Sequence, residues 1–461
     1  MKTGQKLELI NPATGETFKQ ITYHQIEETE SKLLLAGKVQ QKWKQTSISQ
    51  RIGVVENAME YFRENMEPIA EDITRQMGKP LSQSKNEVKG MIQRAEVLCR
   101  LSIDALKEIS LPELTGFNRF IRREPLGVVL DISAWNYPLL IAVNVVVPAV
   151  LAGNAVAIKH SSLTPLCAII FEDAFRQANA PEGLVTALIL DHDVTESIIQ
   201  SALIHHVAFT GSVDGGKRIL QAGSHRFMDV GLELGGKDPA YVREDANLEL
   251  AVPSIMDGAF YNAGQSCCAV ERIYVEHSLK DEFIERAIQC MNKIKIGNPL
   301  DETTDMGPLA QKSGIKTVKS QLKDALDKGA KITYHPGPLP DKEKYILPAI
   351  LTNVNHDMKV MMEETFGPVV GIMGVESDEE ATALMNDSPY GLTASVWTGD
   401  SEKAIKIGSL IETGTFFMNR CDYLDPALPW VGIKDSGRGC TLSTLGLQQL
   451  TRPKSYHLKL R

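Results

Sequence analysis

Apolar positions recur three and four apart among charged residues over 26–43 and 51–76, the pattern of surface helices with one buried face. The periodicity then changes. "LGVVLDISAW" (126–135) and "AVAIKH" (155–160) predict strands, while "LLIAVNVVVPAVLAG" (139–153) and "TPLCAIIFEDAFRQA" (164–178) predict helices. Strands are again expected at 186–190 and 205–211, separated by a helix over 194–203. This βαβαβ alternation implies a parallel sheet covered on both faces. It resumes from about residue 236, which predicts a second α/β domain. The apolar run 139–158 is interrupted by Asn144, Pro148, Gly153 and Asn154 and predicts a core helix leading into a buried strand, not a membrane span. There is no internal repeat, and "HPGPLPDKEK" (335–344) predicts a turn-rich surface loop.

Length and charge narrow the classes. At 461 residues the chain exceeds what one hydrophobic core usually organises. A net charge of -9, with lysines and arginines scattered, offers no basic footprint for nucleic acid or an anionic membrane, so a small molecule or a protein is the expected partner. The N-terminus lacks the apolar core of a signal peptide. Seven cysteines without repeated C-x-x-C spacing or a histidine cluster argue against a disulfide framework and a metal site, and predict a reducing, cytoplasmic setting.

Three stretches carry candidate chemistry. In "FTGSVDGGK" (209–217), Gly211 and Ser212 lie where a strand gives way to a helix, so free amides there can hold a phosphate or merely form a tight turn. In "LELGGKDPAYV" (232–242), Glu233 is an acid on an apolar segment, either a solvated loop residue or a general base of raised pKa. In "YNAGQSCCAV" (261–270), small residues precede Cys267, and a helix starting after it would favour the thiolate. With the amide of Asn136 in "SAWNYP" (133–138), these residues comprise a nucleophile, a base and an oxyanion donor.

The chain resembles the NAD(P)-dependent aldehyde dehydrogenase superfamily over practically its whole length. The matching stretches include "NPATGE" (11–16), "WNYP" (135–138), "LAGNAVAIKHSSLTP" (151–165), "FTGS" (209–212), "ELGGKDP" (233–239), "NAGQSC" (262–267), "MGPL" (306–309), "EETFGPV" (363–369), "NDSPYGLTA" (386–394) and "KDSGRG" (434–439). The resemblance implies an α/β fold with a Rossmann-like NAD(P)-binding domain (1–106 and 126–235), a catalytic domain (236–450) and a small β oligomerisation element (107–125 and 451–461). It assigns Cys267 as nucleophile, Glu233 as the base that activates water, and Asn136 as oxyanion donor, with Cys268 a packing neighbour. It implies NAD or NADP as cofactor, held by Trp135, Lys159, Ser162, Gly211, Ser212, Glu364 and Phe366, and a homodimer or homotetramer.

Departures from the family pattern are informative. The basic residue and the glutamate that many relatives carry align with Val145 and Thr441, which removes any proton relay built on that pair. Ser162 replaces a glutamate found in NAD-preferring relatives, which predicts that NADP is accepted. The substrate wall is expected from Tyr137, Arg420, Tyr423 and Trp430. Arg420 either clamps the distal carboxylate of a semialdehyde such as succinate semialdehyde or pairs with Asp422 or Asp425. The expected reaction is oxidation of an aldehyde to an acid through a cysteine thioester. Its alternatives are a CoA-acylating dehydrogenase and a non-catalytic protein on the same fold.

Overall fold

The computed structural model describes residues 5–334 and 343–460. Most of the loop predicted at 335–344 lies outside them. Among the described residues, a six-stranded sheet runs in the order Gly437–Arg438, Val230–Glu233, His206–Thr210, Val128–Ser133, Ala155–His160, Val185–Ala187. It is parallel except for the antiparallel edge strand Gly437–Arg438. Val128–Ser133 and Ala155–His160 are buried at every position, so both faces of the sheet are covered. A second, seven-stranded sheet has Asp238–Val242 and Val270–Glu276 at its centre. The long strands Phe117–Pro125 and Thr451–Lys459 pair antiparallel, the first mostly half-buried and the second largely exposed.

Four helices frame the region where the two sheets meet: α1 (Leu81–Ala105), α2 (Pro138–Ala152), α3 (Val213–Gly223) and α4 (Leu248–Phe260). The apolar run predicted to be a core helix is α2, started by Pro138 at its first turn and ended by Gly153 at φ +91°. The helix expected over 51–76 is two helices. The first begins at Ile48, where Ser47 and Gln50 form a capping box, and the chain breaks at Asn65, whose side-chain amide donates to the Tyr61 carbonyl. The helix expected from 194 begins at His192 because Asp191 accepts from the Val194 N–H. The strand expected at 186–190 is confined to Val185–Ala187.

The end of the chain departs from a contiguous two-domain division. Trp430, Leu442, Leu447 and Leu450 pack in the core of the six-stranded sheet, not with the second sheet. The cause is edge pairing: Gly437 and Arg438 add a strand to Val230–Glu233, covering backbone groups that would otherwise be unpaired. Gly437 faces Glu233 in this register, so the C-terminal segment reaches the candidate base.

On the buried face of α1, Glu87 and Arg94 stand seven residues apart, two turns along the helix, among Val88, Met91, Ala95 and Leu98. Glu87 ion-pairs with the fully buried Lys79 and also accepts from the Leu139 N–H at 2.9 Å, which fastens α1 to the start of α2. Lys79 Nζ lies 3.9 Å from the centre of the Tyr137 ring. Removing one charge of such a pair strands the other. Glu87→Gln is therefore expected to destabilise the protein by about 3–5 kcal/mol, measured by urea denaturation, and a cost below about 1 kcal/mol would contradict the reading of a dry pair.

Candidate active site

The loop that carries Cys267 is built by an unusual turn. After α4 the chain passes through Asn262 (φ +52°), Ala263 (φ +55°) and Gly264 (φ +70°), three consecutive left-handed residues. Only glycine adopts that conformation without strain, so the first two need support from their surroundings. Hydrogen bonds supply it. The Asn262 N–H donates to Gln83 Oε1 at 3.1 Å, and Asn262 Nδ2 donates to the carbonyls of Asn136 and Gln265, both at 3.2 Å. Asn136 Nδ2 donates to the Gln265 carbonyl at 3.2 Å, and Gln265 Oε1 accepts from the Ala310 N–H at 2.9 Å. At Gly264 a β-carbon would stand 2.4 Å from the Gly367 carbonyl, so no other residue fits there.

No helix follows Cys267. Residues 267–268 form a turn that feeds the central strand Val270–Glu276, so the predicted helix-dipole contribution is absent. What distinguishes the two cysteines is their partners. Cys268 is buried and its thiol donates to Asp422 Oδ1 at 3.0 Å, an oxygen that also accepts from Ser266 Oγ at 3.1 Å. Contact with the Cys267 sulfur, burial and the neighbouring Asp422 hold the Cys268 thiol well above its ordinary pKa. Both cysteines border a cavity of about 560 Å³ that is also lined by Asn136, Tyr137, Glu233, Tyr423 and Trp430, and of the two only Cys267 is half-buried rather than buried. The Cys267 backbone N–H makes no hydrogen bond to another described residue.

Glu233 ends its strand inside this cavity. Burial raises its pKa, and hydrogen bonds from Thr441 and Thr210, with the charge of Arg94, act in the opposite direction. Thr441 Oγ1 donates to Glu233 Oε1, and Thr210 Oγ1 donates to Oε2 at 3.3 Å. Thr441 arrives through the edge strand Gly437–Arg438 and a two-way backbone bridge with Trp430. A smaller cavity of about 180 Å³, lined by His206, Asp229 and Thr441, meets Glu233 as well.

None of the residues expected at the cofactor lines the large cavity. The rings of Trp135 and Phe366 meet edge to face at 5.5 Å between centres, with Phe366 at φ +49°. Ser212 accepts from the Gly215 N–H and so caps α3, and a β-carbon at Gly211 would strike the Phe209 ring at 2.6 Å. Lys159 is only 6% exposed, and among the described residues no carboxylate ion-pairs with it. Glu364 accepts from the Gly236 N–H at 3.0 Å, and burial, reinforced by the charge of Glu271, raises its pKa to about 8. By their chemistry a buried ammonium without an ion-pair partner among the described residues, a carboxylate that can accept hydroxyls and a pair of aromatic rings suit an anionic, ribose-bearing dinucleotide. Ser162 is exposed.

Arg420 does not line the large cavity. Its guanidinium lies 3.3 Å from the centre of the Tyr423 ring, and among the described residues it ion-pairs with neither Asp422 nor Asp425. Asp422 is turned away at φ +45° to receive Ser266 and Cys268. Sequence reasoning missed Arg94, the bond of Asp422 to Cys268 and the hydroxyl that Thr441 gives Glu233, a position it registered only as a missing glutamate. The signal available for Arg94 was a charge on the apolar face of a predicted helix. No group of three His, Cys, Asp or Glu side chains among the described residues is arranged to hold a metal ion, and no helix is long and apolar enough to cross a membrane.

Comparison with known proteins adds an independent observation. A family model described as "Aldehyde dehydrogenase family" matches residues 1–456. The chain is 35% identical over 451 residues to an aldehyde dehydrogenase of Paenarthrobacter nicotinovorans, covering 97% of this chain and 98% of that one. It is 32% identical over 451 residues to a succinate-semialdehyde dehydrogenase [NADP(+)] of Deinococcus radiodurans, covering 96% and 93% respectively. Its fold is similar to the crystal structure of betaine aldehyde dehydrogenase from Staphylococcus aureus in complex with NAD+, with a TM-score of 0.93 at 31% identity, covering 99% of this chain and 92% of that one.

Proposed function

The chain belongs to the aldehyde dehydrogenase family and is an NAD(P)-dependent enzyme, and from that premise we propose that it converts an aldehyde to the free carboxylic acid through a thioester on Cys267. The observation that carries this reading is the meeting of Cys267, Asn136 and Glu233 in one cavity, with Glu233 half-buried at its wall, bound by two hydroxyls and, among the described residues, ion-paired with no cation.

In this reading the Cys267 thiolate bonds to the aldehyde carbon while the carbonyl electron pair moves onto oxygen. Asn136 Nδ2 and the uncommitted Cys267 N–H stabilise that oxyanion. Trp135, Lys159, Ser212, Glu364 and Phe366 would hold the cofactor, which supplies the hydride acceptor when bound. Glu233 then takes a proton from water as the water oxygen bonds to the thioester carbon, and the C–S bond breaks to release the acid and the Cys267 thiolate. Cys268 takes no part, since its proton is engaged by Asp422. A semialdehyde such as succinate semialdehyde is the leading specific substrate, a choice supported by the Deinococcus relative. A reducing, cytoplasmic setting suits a free thiol in this role. We further propose a homodimer or homotetramer assembled through the pair Phe117–Pro125 and Thr451–Lys459, where Leu458, and Leu460 just beyond the second strand, face solvent.

Dividing the reaction at the thioester tests the assignment. Cys267→Ala is expected to abolish dehydrogenase activity and Cys268→Ala to keep most of it. Glu233→Gln is expected to retain a stopped-flow burst of reduced cofactor while steady turnover slows by about 10²–10⁴-fold, with no rate gained from coenzyme A. Comparable losses in both cysteine variants, or disappearance of the Glu233→Gln burst, would contradict the roles given.

The pH dependence follows from the same groups. Glu233 acts only when ionised, and burial raises its pKa, so deacylation is expected to rise with pH through that raised value. Thr441→Val removes a hydroxyl that favours the ionised form and is expected to move this rising limb to higher pH. An unmoved limb in the pH profile would mean that Thr441 does not bear on the base.

For the cofactor, Ser162 stands three residues after Lys159, small and neutral where an acid would repel a 2′-phosphate. NADP is expected to give a kcat/KM at least equal to that of NAD, and Ser162→Glu to shift the preference toward NAD. A strong NAD preference that this substitution fails to increase would remove the argument.

A further inference from the structure

Arg94 is only 8% exposed and its side chain lines the large cavity with Cys267 and Glu233. Its Nη1 donates to the Leu140 carbonyl and to Asn144 Oδ1, both at 2.9 Å. These two bonds set the plane of the guanidinium and its direction. The opposite edge, Nε with Nη2, makes no hydrogen bond to a described residue, and no carboxylate ion-pairs with Arg94 among them. Burial lowers its pKa only to about 10, so it remains a cation at neutral pH. A buried guanidinium with one edge fixed and the other open toward a cavity is a site for an anion, and the open edge has the fork spacing that receives a carboxylate through two parallel bonds.

The acids around the cavity do not occupy that role. Glu87 is engaged by Lys79 and the Leu139 N–H, Asp422 by Ser266 and Cys268, Asp425 by the Ala427 N–H, and Glu233 by its two threonines. Asp257 on α4 also lines the cavity, and it is the group that would favour a cationic substrate instead. Arg94 is the one arginine or lysine on the cavity wall among the described residues. Its position also accounts for the failure of Arg420 as a clamp: the cation is delivered from α1, through Asn144 of α2, and not from the loop after the last strand of the second sheet.

We propose that Arg94 is the specificity-determining residue of this cavity and that its Nε–Nη2 edge binds the distal carboxylate of a short ω-carboxylated aldehyde whose carbonyl is held at Cys267. The proposal rests on the reading of Cys267 as nucleophile.

The test compares three four-carbon aldehydes, succinate semialdehyde, uncharged butanal and cationic 4-aminobutanal, on the full-length enzyme with NAD(P). For the wild type, succinate semialdehyde is expected to have the highest kcat/KM. In Arg94→Met the ratio of kcat/KM for succinate semialdehyde to that for butanal is expected to fall about 10–100-fold, chiefly through KM. Arg94→Lys, which keeps the charge without the fork, is expected to fall between the two, and it decides the matter if the methionine variant does not fold. Equal losses for both aldehydes would overturn the proposal by showing that Arg94 serves Glu233 or the fold. A wild-type preference for 4-aminobutanal would overturn it in favour of Asp257. Turnover of butanal with no effect of either variant on the ratio would overturn it while leaving the thioester reading intact, whereas no turnover of any aldehyde would overturn that reading itself.

Discussion

A half-buried carboxylate that shares a cavity with a thiol is the constraint on which this structure turns. An isolated buried carboxylate would simply take up a proton, and one locked in a tight ion pair would be too weak a base. Glu233 avoids both extremes: two neutral hydroxyls meet its two oxygens and the charge of Arg94 acts on it without an ion pair. Each of those partners comes from a different part of the chain. Thr210 ends the neighbouring strand, Thr441 arrives on the edge strand that the C-terminal segment adds to the sheet, and Arg94 projects from α1. The return of the C-terminal segment to the first core is thus a requirement of the site as well as of the sheet.

Much of the architecture was legible because it rests on local pattern. The apolar run after "WNYP" must be buried on all sides, and α2 with the strand Ala155–His160 is. Capping residues moved helix ends by a few positions, as at Ser47 and Asp191, where a side chain satisfies amides that periodicity cannot see. The site was legible in its residue types and less so in its partnerships. Nothing in "SCC" separates Cys267 from Cys268 by local chemistry. The separation depends on Asp422, more than 150 positions away in the chain, which accepts a hydrogen bond from the buried Cys268 thiol and holds it protonated, while Cys267 is the more exposed of the two. Thr441 read as the loss of a charged residue because a sequence displays what is missing from a pattern, whereas the fold displays that the hydroxyl meets the base.

Arg420 and Arg94 illustrate the same limit from the other side. An arginine beside acids in a loop invites either a substrate clamp or an ion pair, and Arg420 instead sits over the Tyr423 ring, where a guanidinium is attracted to the aromatic face. Arg94 was hidden inside a helix whose polar residues are frequent enough to blur its buried face. The two-turn spacing of Glu87 and Arg94 places both on the side packed against α2, where one is neutralised by Lys79 and the other is not. That asymmetry gives the cavity a positive group in a wall otherwise rich in acids and aromatic rings.

The central claim is that Cys267 alone carries the acyl group that Glu233 releases. It is tested most directly by rapid quenching of the Glu233→Gln enzyme with aldehyde and NAD(P), followed by digestion and mass spectrometry of the peptide that contains both cysteines. The account predicts an acyl mass increment on Cys267, with Cys268 unmodified, in proportion to the cofactor reduced. An increment on Cys268, or reduced cofactor with no acylated peptide, would contradict it.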